Sequence, residues 1–530
     1  MQFILLKEFM QQFAAPTVMK KISLALGLAS LVFCAACGTS GIRGLIGTGH
    51  YSNASLNGSY VYQITGWDLN SGSAIPYQEA GVFTANGSGT ITAGVDDAAE
   101  TGAAPILANP TTGSYSIQSD GTGVITLSGT GFGTINLNVS MVSTSKAYLI
   151  EADGTNLTGI ALNATGVAEK QSSTTLPASA TAFVFKQHSL SASQDYDSVG
   201  QFILAANGSL TGSDDVNRNG TINNGGGTGS ALTLTASSQF TAPDTNGRGQ
   251  ATFADSTGTT NFEYYIVDTG NIRFLAIDSG VAGSGRAEAQ TGTFTSDPLS
   301  GKSFAFGSKG DDNSGTGAVN TVGSITASSG AITGALDSVQ DATSYANAAI
   351  SSGSYTAFSA NGRSVVTLVT GISSNVQQAF WMVNPTRAFF LTTNDVSDPS
   401  KIEDGTADQQ QGTFTNSSLN GQYAFTMDGY DLNLSPGFAS FVDRVGWIQW
   451  SGSGSLTWNE QVNTNGQGSS GSGGLSGTYA VAGNGRTTAS VSNLSYNSND
   501  IVFYLVSGSD AYILENDPGV QINGVMSLQQ

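Results

Sequence analysis

The stretches LNGSYVY (56–62) and GVFTANGSGTIT (81–92) decide how this chain is read, because the pair recurs down its length. The opening stretch returns as LSGKSFAF (299–306) and LNGQYAF (419–425), and is reduced to Phe183-Val-Phe185 in a second copy. The glycine-led stretch returns from Gly200, Gly323 and Gly446, each followed by an apolar residue two positions on and a Gly-containing turn. Two further elements keep the same order. One leads to a tight turn at Asp120-Gly121, Asn246-Gly247-Arg248, Asn361-Gly362-Arg363 and Asn484-Gly485-Arg486. The other is KAYLIEAD (146–153), matched by RFLAID (273–278), RAFFL (387–391) and AYILEND (511–517). Four ordered elements met four times define repeats at 55–171, 180–294, 298–416 and 418–530.

Inside a repeat, aromatic and β-branched residues alternate with small polar ones at a period of two. Asn-Gly and Gly-rich pairs interrupt them, which is the pattern of short antiparallel strands and hairpins. Repeat 1 holds candidate strands near 59–66, 79–85, 89–94, 113–118, 123–128, 133–143, 146–152 and 159–165. Eight antiparallel strands joined in order close most simply into an up-and-down barrel, which leaves no exposed edge. The expected fold is therefore all-β, with four tandem eight-stranded barrels; a β-sandwich built from the same strands is the alternative. The Leu-x-Gly-x-Tyr opening loosely resembles the first strand of lipocalin- and avidin-like barrels. The likeness covers a handful of residues per repeat and implies no ligand.

Composition narrows the function. The 530 residues carry 69 glycines, 9% aromatics and only 11% charged residues, with 38 acidic against 18 basic side chains and a net charge of −20. That sign repels phosphate backbones, so nucleic acid is not an expected partner; cations and neutral partners such as glycans are. The two cysteines, Cys34 and Cys37, lie in the N-terminal segment, so the repeats contain neither a disulfide nor a thiolate metal cluster. The two histidines, His50 and His188, cannot supply a repeated Ser-His-Asp system or a His-rich metal site. His188 reads as polar loop surface. Carboxylate-pair hydrolysis is the one enzyme class the chemistry leaves open, and nothing singles out a pair.

Met19-Lys20-Lys21 precedes a 12-residue apolar run, Ile22–Phe33, so residues 1–36 read as a signal peptide, with Met19 as an alternative start. Ala35-Ala36-Cys37 then resembles the lipobox of bacterial lipoproteins, although Cys34 stands where that family has Leu. The resemblance implies cleavage after residue 36, acylation of Cys37 and anchoring to the cell envelope. The absence of Asp after Cys37 favours the outer membrane within that family. Residues 37–54 are expected to form a lipidated, Gly/Ser-rich tether.

Candidate sites cluster in the segments read as the variable loops. Asp215, Asn217, Asn219 and Thr221 follow the D-x-N-x-N-G spacing of a calcium loop, without the Glu at position twelve and without flanking helices. Ca²⁺ is the candidate cofactor, and a polar turn is the alternative reading. Trp67 beside Asp68 and Tyr430 beside Asp431 occupy equivalent positions and, with Asp96 and Asp97, are candidate ligand contacts, since an aromatic next to a carboxylate can stack on and hydrogen-bond a sugar. Trp447 and Trp450 fall on opposite strand faces. The expected function is a non-enzymatic envelope lipoprotein presenting tandem barrels for adhesion, glycan contact or envelope structure. The alternatives are a small-ligand carrier within the barrels and a carboxylate-based hydrolase.

Overall fold

A computed structural model describes residues 51–70, 73–154, 161–312, 317–340, 343–433, 440–494 and 500–530. The signal segment, Cys37 and residues 38–50 lie outside the described residues. The fold is all-β: four eight-stranded antiparallel barrels in chain order, each a meander whose first strand also pairs with its last.

Barrel 1 shows the pattern. Its first strand, Asn57–Asp68, pairs along its whole length with Ile75–Asn86, and from Tyr60 onward with the final strand, Leu162–Lys170. The third strand, Thr90–Glu100, meets a fourth that is broken into Ile106–Pro110 and Thr112–Ile117. In barrels 3 and 4 the same strand runs unbroken, as Thr343–Tyr355 and Ser469–Val481. In barrel 2 its place is taken by short pieces, Thr221–Ile222, Leu232–Thr233 and Gln239–Phe240. There the wall closes by backbone bonds from Leu210 to Ser238 and from Phe240 to Gly208.

The recurring glycine now has a physical cause. Tyr62, Phe185, Phe306 and Phe425 point into their barrels directly opposite Gly81, Gly200, Gly323 and Gly446. A Cβ at Gly323 would sit 2.5 Å from the Phe306 ring, and one at Gly81 would sit 2.7 Å from the Tyr62 ring. At these two positions the missing side chain lets an aromatic lie against the strand; at Gly200 and Gly446 a Cβ would instead meet the third strand, at Asp214 Cβ (2.5 Å) and the Asn459 carbonyl (2.0 Å). Each interior is filled by such side chains, with Trp450 and Trp458 fully buried in barrel 4 and a continuous set of phenylalanines in barrel 2. Eight strands leave room for little else.

Strands run further than alternation suggests. Trp67, Asp68 and residues 95–100, read from sequence as loop, are strand. Asp, Gly and Ala are poor strand formers, but pairing with the equally extended second strand overrides propensity. Residues from Tyr51, assigned above to the tether, belong to barrel 1. The turn Asn53–Ser55 is held beneath it by the Tyr115 hydroxyl, which donates to the Asn53 and Leu56 carbonyls. Tyr479 does the same for Asn416–Ser418 in barrel 4.

The barrels pack into a closed ring. Outward residues of the first three strands of barrel 1, such as Val61, Val82 and Val95, pack on Tyr265, Val267 and Leu275 of barrel 2. The same faces meet between barrels 2 and 3 and between barrels 3 and 4. Ala424, Val445 and Val525 of barrel 4 return to Val142, Tyr148 and Ile150 of barrel 1.

At three junctions a carboxylate crosses the seam. Asp97 receives a two-bond fork from Arg248 at 2.6 and 2.9 Å, together with the Tyr265 hydroxyl. Asp215 receives Arg363 at 2.7 and 2.7 Å and the Trp381 indole at 2.9 Å. Asp337 receives Arg486 at 2.7 and 2.6 Å and the Tyr504 hydroxyl at 2.8 Å. These arginines are the ones that follow the repeated Asn-Gly turns. A fully buried carboxylate is tolerable only when paired in this way.

All four junctions share a second device. Gln171, Gln290, Gln410 and Gln529 each follow the last strand of a barrel and donate to two carbonyls of the next. The acceptors are Asn246 and Ile266, Asn361 and Met382, Asn484 and Leu505, and finally Asp120 and Met141 of barrel 1.

Candidate binding site in the ring axis

The outward residues of each first strand that do not enter a junction face the ring axis. They border a cavity of about 530 Å³ lined by all four barrels. A second cavity, of about 470 Å³, shares Gln63, Thr65, Arg273 and Arg286 with it. Strand register sets the equivalences among the lining positions. Thr65, His188, Lys309 and Asp428 occupy one position; Trp67, Leu190, Asp311 and Tyr430 occupy the next outward one. The junction positions keep their residue types at three or four seams, whereas these axial positions differ in every copy.

The axial wall is rich in charge. Lys186 pairs with Asp404 across the barrel 2–3 seam, and Lys309 pairs with Asp428 across the barrel 3–4 seam. Burial pushes the Asp443 carboxyl well up, and neighbouring Asp428 adds to this. His188 Nδ1 lies 2.7 Å from Asp197 Oδ1 and 3.6 Å from Asp195 Oδ1. Burial works against the charged imidazole, but these carboxylates outweigh it and raise its pKa to about 9. Burial raises Asp197 to about 7. The expectation of a lone loop histidine is thus corrected: His188 lies on the strand Thr181–Ser191, opposite Asp197.

Trp67 and Tyr430, equivalent positions in barrels 1 and 4, meet because the ring closes. Their rings lie 6.1 Å apart, and both pack on Phe441, at 4.9 and 5.1 Å. They border the larger cavity. Asp68 and Asp431 turn away into local roles, each accepting the backbone N–H two residues on, from Asn70 and Asn433, at 2.7 Å. Asp96 and Asp97 are fully buried on a strand, not on a loop rim. Asp97 joins the junction with Arg248. Asp96 points into barrel 1, where it accepts Tyr62 at 2.5 Å and the Gly131 N–H at 2.7 Å. Beside it Glu79 accepts Tyr62 and Tyr77 at 3.1 and 3.3 Å. Burial raises both carboxyls, Asp96 to about 6, and Glu79 is pushed up further by repulsion from Asp96.

The candidate calcium loop is placed as a strand end and a hairpin. Asp215 is taken up by Arg363, Trp381 and Asn223, and the Asn217 amide donates to Thr392 and Lys401 of barrel 3. The Asn219 side chain accepts the Asp195 N–H. Asn219 and Gly220 both adopt positive φ, 49° and 78°, between the paired residues Arg218 and Thr221. That is the two-residue hairpin for which Asn-Gly is preferred, and Thr221 is exposed beyond it. Trp447 faces outward and donates to Asp120 at 3.0 Å, while Trp450 is buried inside barrel 4.

Sequence reasoning missed the axis itself, because equivalent positions acquire a shared purpose only once four barrels surround one space. It also missed the glutamine latches. Their signal was present, since Gln171, Gln290, Gln410 and Gln529 recur at about 119-residue spacing.

No family model matches the chain, and no curated protein does. Among solved structures it is similar to a transferrin binding protein B double mutant from Haemophilus parasuis, with 11% identity, coverage of 73% of this chain and 83% of that one, and a TM-score of 0.18. Intact Ap-TbpB gives 10%, 74%, 86% and 0.17, and the isotype 1 protein of Neisseria meningitidis gives 10%, 72%, 83% and 0.18.

Proposed function

We propose that this chain is a non-enzymatic, lipid-anchored envelope protein whose barrels form a rigid ring that binds a glycan end in the axial cavity. The supporting observation is the contrast between positions within one chain. Residues that hold the ring together recur from repeat to repeat, while the two first-strand positions facing the axis differ in every copy, as one shared asymmetric site requires. Trp67 and Tyr430 supply apolar faces for a sugar ring, and the axial Asp and Lys side chains supply hydrogen-bond partners. Interiors filled by side chains favour this reading over a carrier within the barrels. The anchor rests on the lipobox resemblance at Cys37.

Glycan-array screening followed by calorimetry tests the binding. The double variant Trp67→Ala/Tyr430→Ala should lose at least ten-fold in affinity for any sugar the wild type binds, while Trp447→Phe, away from the cavity, should not. A wild type that binds no glycan, or binding that survives the double variant, removes the reading. Mass analysis of the mature N-terminus tests the anchor separately: an unacylated Cys37 refutes it.

A further inference from the structure

We infer that His188, Asp195 and Asp197 form a site for one divalent first-row transition-metal ion on the wall of the axial cavity. All three lie on the outward face of one hairpin. His188 sits directly opposite Asp197, and Asp195 is the next outward residue toward the turn. One ligand atom from each residue falls within 4.8 Å of the other two. Imidazole nitrogen with two carboxylate oxygens is a donor set suited to ions of the Mn²⁺ to Zn²⁺ series, and bonds of about 2.0–2.2 Å would need only a small adjustment of these side chains.

Two observations separate the cluster from an ordinary ion pair. A histidine needs one carboxylate, and Asp197 already supplies it at 2.7 Å. Asp195 is nonetheless 93% buried, and its Oδ1, 3.6 Å from the same nitrogen, has no hydrogen-bond partner. A buried carboxylate oxygen without a donor is costly, and an ion at this point would satisfy it. The cluster is also not a feature of the repeat. Equivalent positions are Thr65, Pro76 and Gln78 in barrel 1, and Lys309, Ala318 and Asn320 in barrel 3. Barrel 4 has Asp428, Phe441 and Asp443. No other copy has the triad, so barrel architecture does not require it.

The neighbouring charges balance. Lys186, two residues before His188 on the same strand, is paired with Asp404, leaving two carboxylates and a neutral imidazole for the ion. Binding replaces the proton between Nδ1 and Asp197 Oδ1, which leaves to solvent. His188 and Asp195 both border the cavity, so the ion has a route in and positions open to a ligand there. The inference does not depend on that ligand being a glycan.

Co²⁺ titrated into the full chain should bind at one equivalent, giving visible d–d bands without the near-ultraviolet band that thiolate from Cys34 or Cys37 would add. His188→Gln and Asp195→Asn should each weaken that binding at least ten-fold, and His50→Ala should leave it unchanged. Asp195→Asn keeps the side-chain size, and its thermal melt verifies folding. Absence of one-equivalent binding by the wild type, or equal binding by a folded Asp195→Asn variant, would overturn the site.

Discussion

Three barrel junctions are crossed by a buried arginine–carboxylate fork, whereas the junction that closes the ring, between barrels 4 and 1, has no fork and sets one half-buried carboxylate, Asp120, among neutral groups. At the positions held elsewhere by Asp, Arg and an aromatic donor, it has Gln461, Thr122 and Ser140. Ser140 donates to the Gly446 carbonyl at 2.7 Å and Trp447 to Asp120 at 3.0 Å. Tyr148 and Ser527 share a bond of 2.9 Å, and Thr165 and Thr426 one of 2.7 Å. The first three junctions join barrels consecutive in the chain, so their partners are held close before the seam forms. The fourth joins segments 261 or more residues apart and must draw them together against loop-closure entropy. A seam whose one carboxylate stays half-exposed has little desolvation to overcome in that late step, whereas a fork left half-formed would strand a buried charge.

The largest expected effect comes from breaking a fork. Arg363→Met leaves Asp215 buried with only Trp381 and Asn223 as partners, and should cost about 3–5 kcal/mol in urea unfolding. Adding Asp215→Leu should restore most of that loss, because two apolar side chains at a buried seam need no charge partner. A double variant as unstable as the single one would show that the fork contributes more than mutual neutralisation.

The closing junction should behave differently. Trp447→Phe with Gln529→Ala removes three bonds to barrel 1 and should cost about 2 kcal/mol. Its signature is a larger radius in small-angle scattering and faster proteolysis, with the barrels intact. Gln290→Ala also removes two bonds, but at a junction of consecutive barrels, and should leave the radius unchanged. Equal opening by both would erase the distinction between the seams.

These contrasts also mark what the sequence made legible. Barrel number, strand direction and the inward aromatics follow from local periodicity, which a repeat displays four times. Asp97, Asp215 and Asp337 were visible as repeated acids, but their purpose depends on Arg248, Arg363 and Arg486 about 150 residues later, across a seam that no local pattern predicts. A still larger separation, 363 residues, hid the meeting of Trp67 with Tyr430. His188 was discounted because one histidine in one repeat resembles surface, and only the register opposite Asp197 gives it company.

The acids inside the barrels give a pH test that separates barrel interiors from seams. Burial raises Asp96 to about 6 and Glu515 to about 7, and raises Glu79, Glu151 and Asp214 as well. The folded chain therefore keeps protons that the unfolded chain releases near pH 4. The associated stability is complete below that pH and is lost as pH rises through 6 to 7. Melting should be higher at pH 5 than at pH 8, by an amount equivalent to about 2 kcal/mol. Asp96→Asn should flatten the dependence, and an Arg363→Met background should not.

The smallest effect belongs to the hairpin that was first read as a calcium loop. Gly220 stands at φ 78°, which an alanine adopts only with strain, so Gly220→Ala should cost about 1 kcal/mol. Asn219→Gly should cost less, since glycine takes the same positive φ and the change removes only the bonds from the Asp195 N–H and to the Ser193 carbonyl. Added Ca²⁺ should leave the melting of wild type and both variants unchanged, because Asp215 and Asn217 spend their side chains on barrel 3. A melting temperature that Ca²⁺ raises in the wild type and not in Gly220→Ala would restore calcium to this turn. It would also mean that the seam between barrels 2 and 3 yields Asp215 to an ion, which the fork from Arg363 argues against.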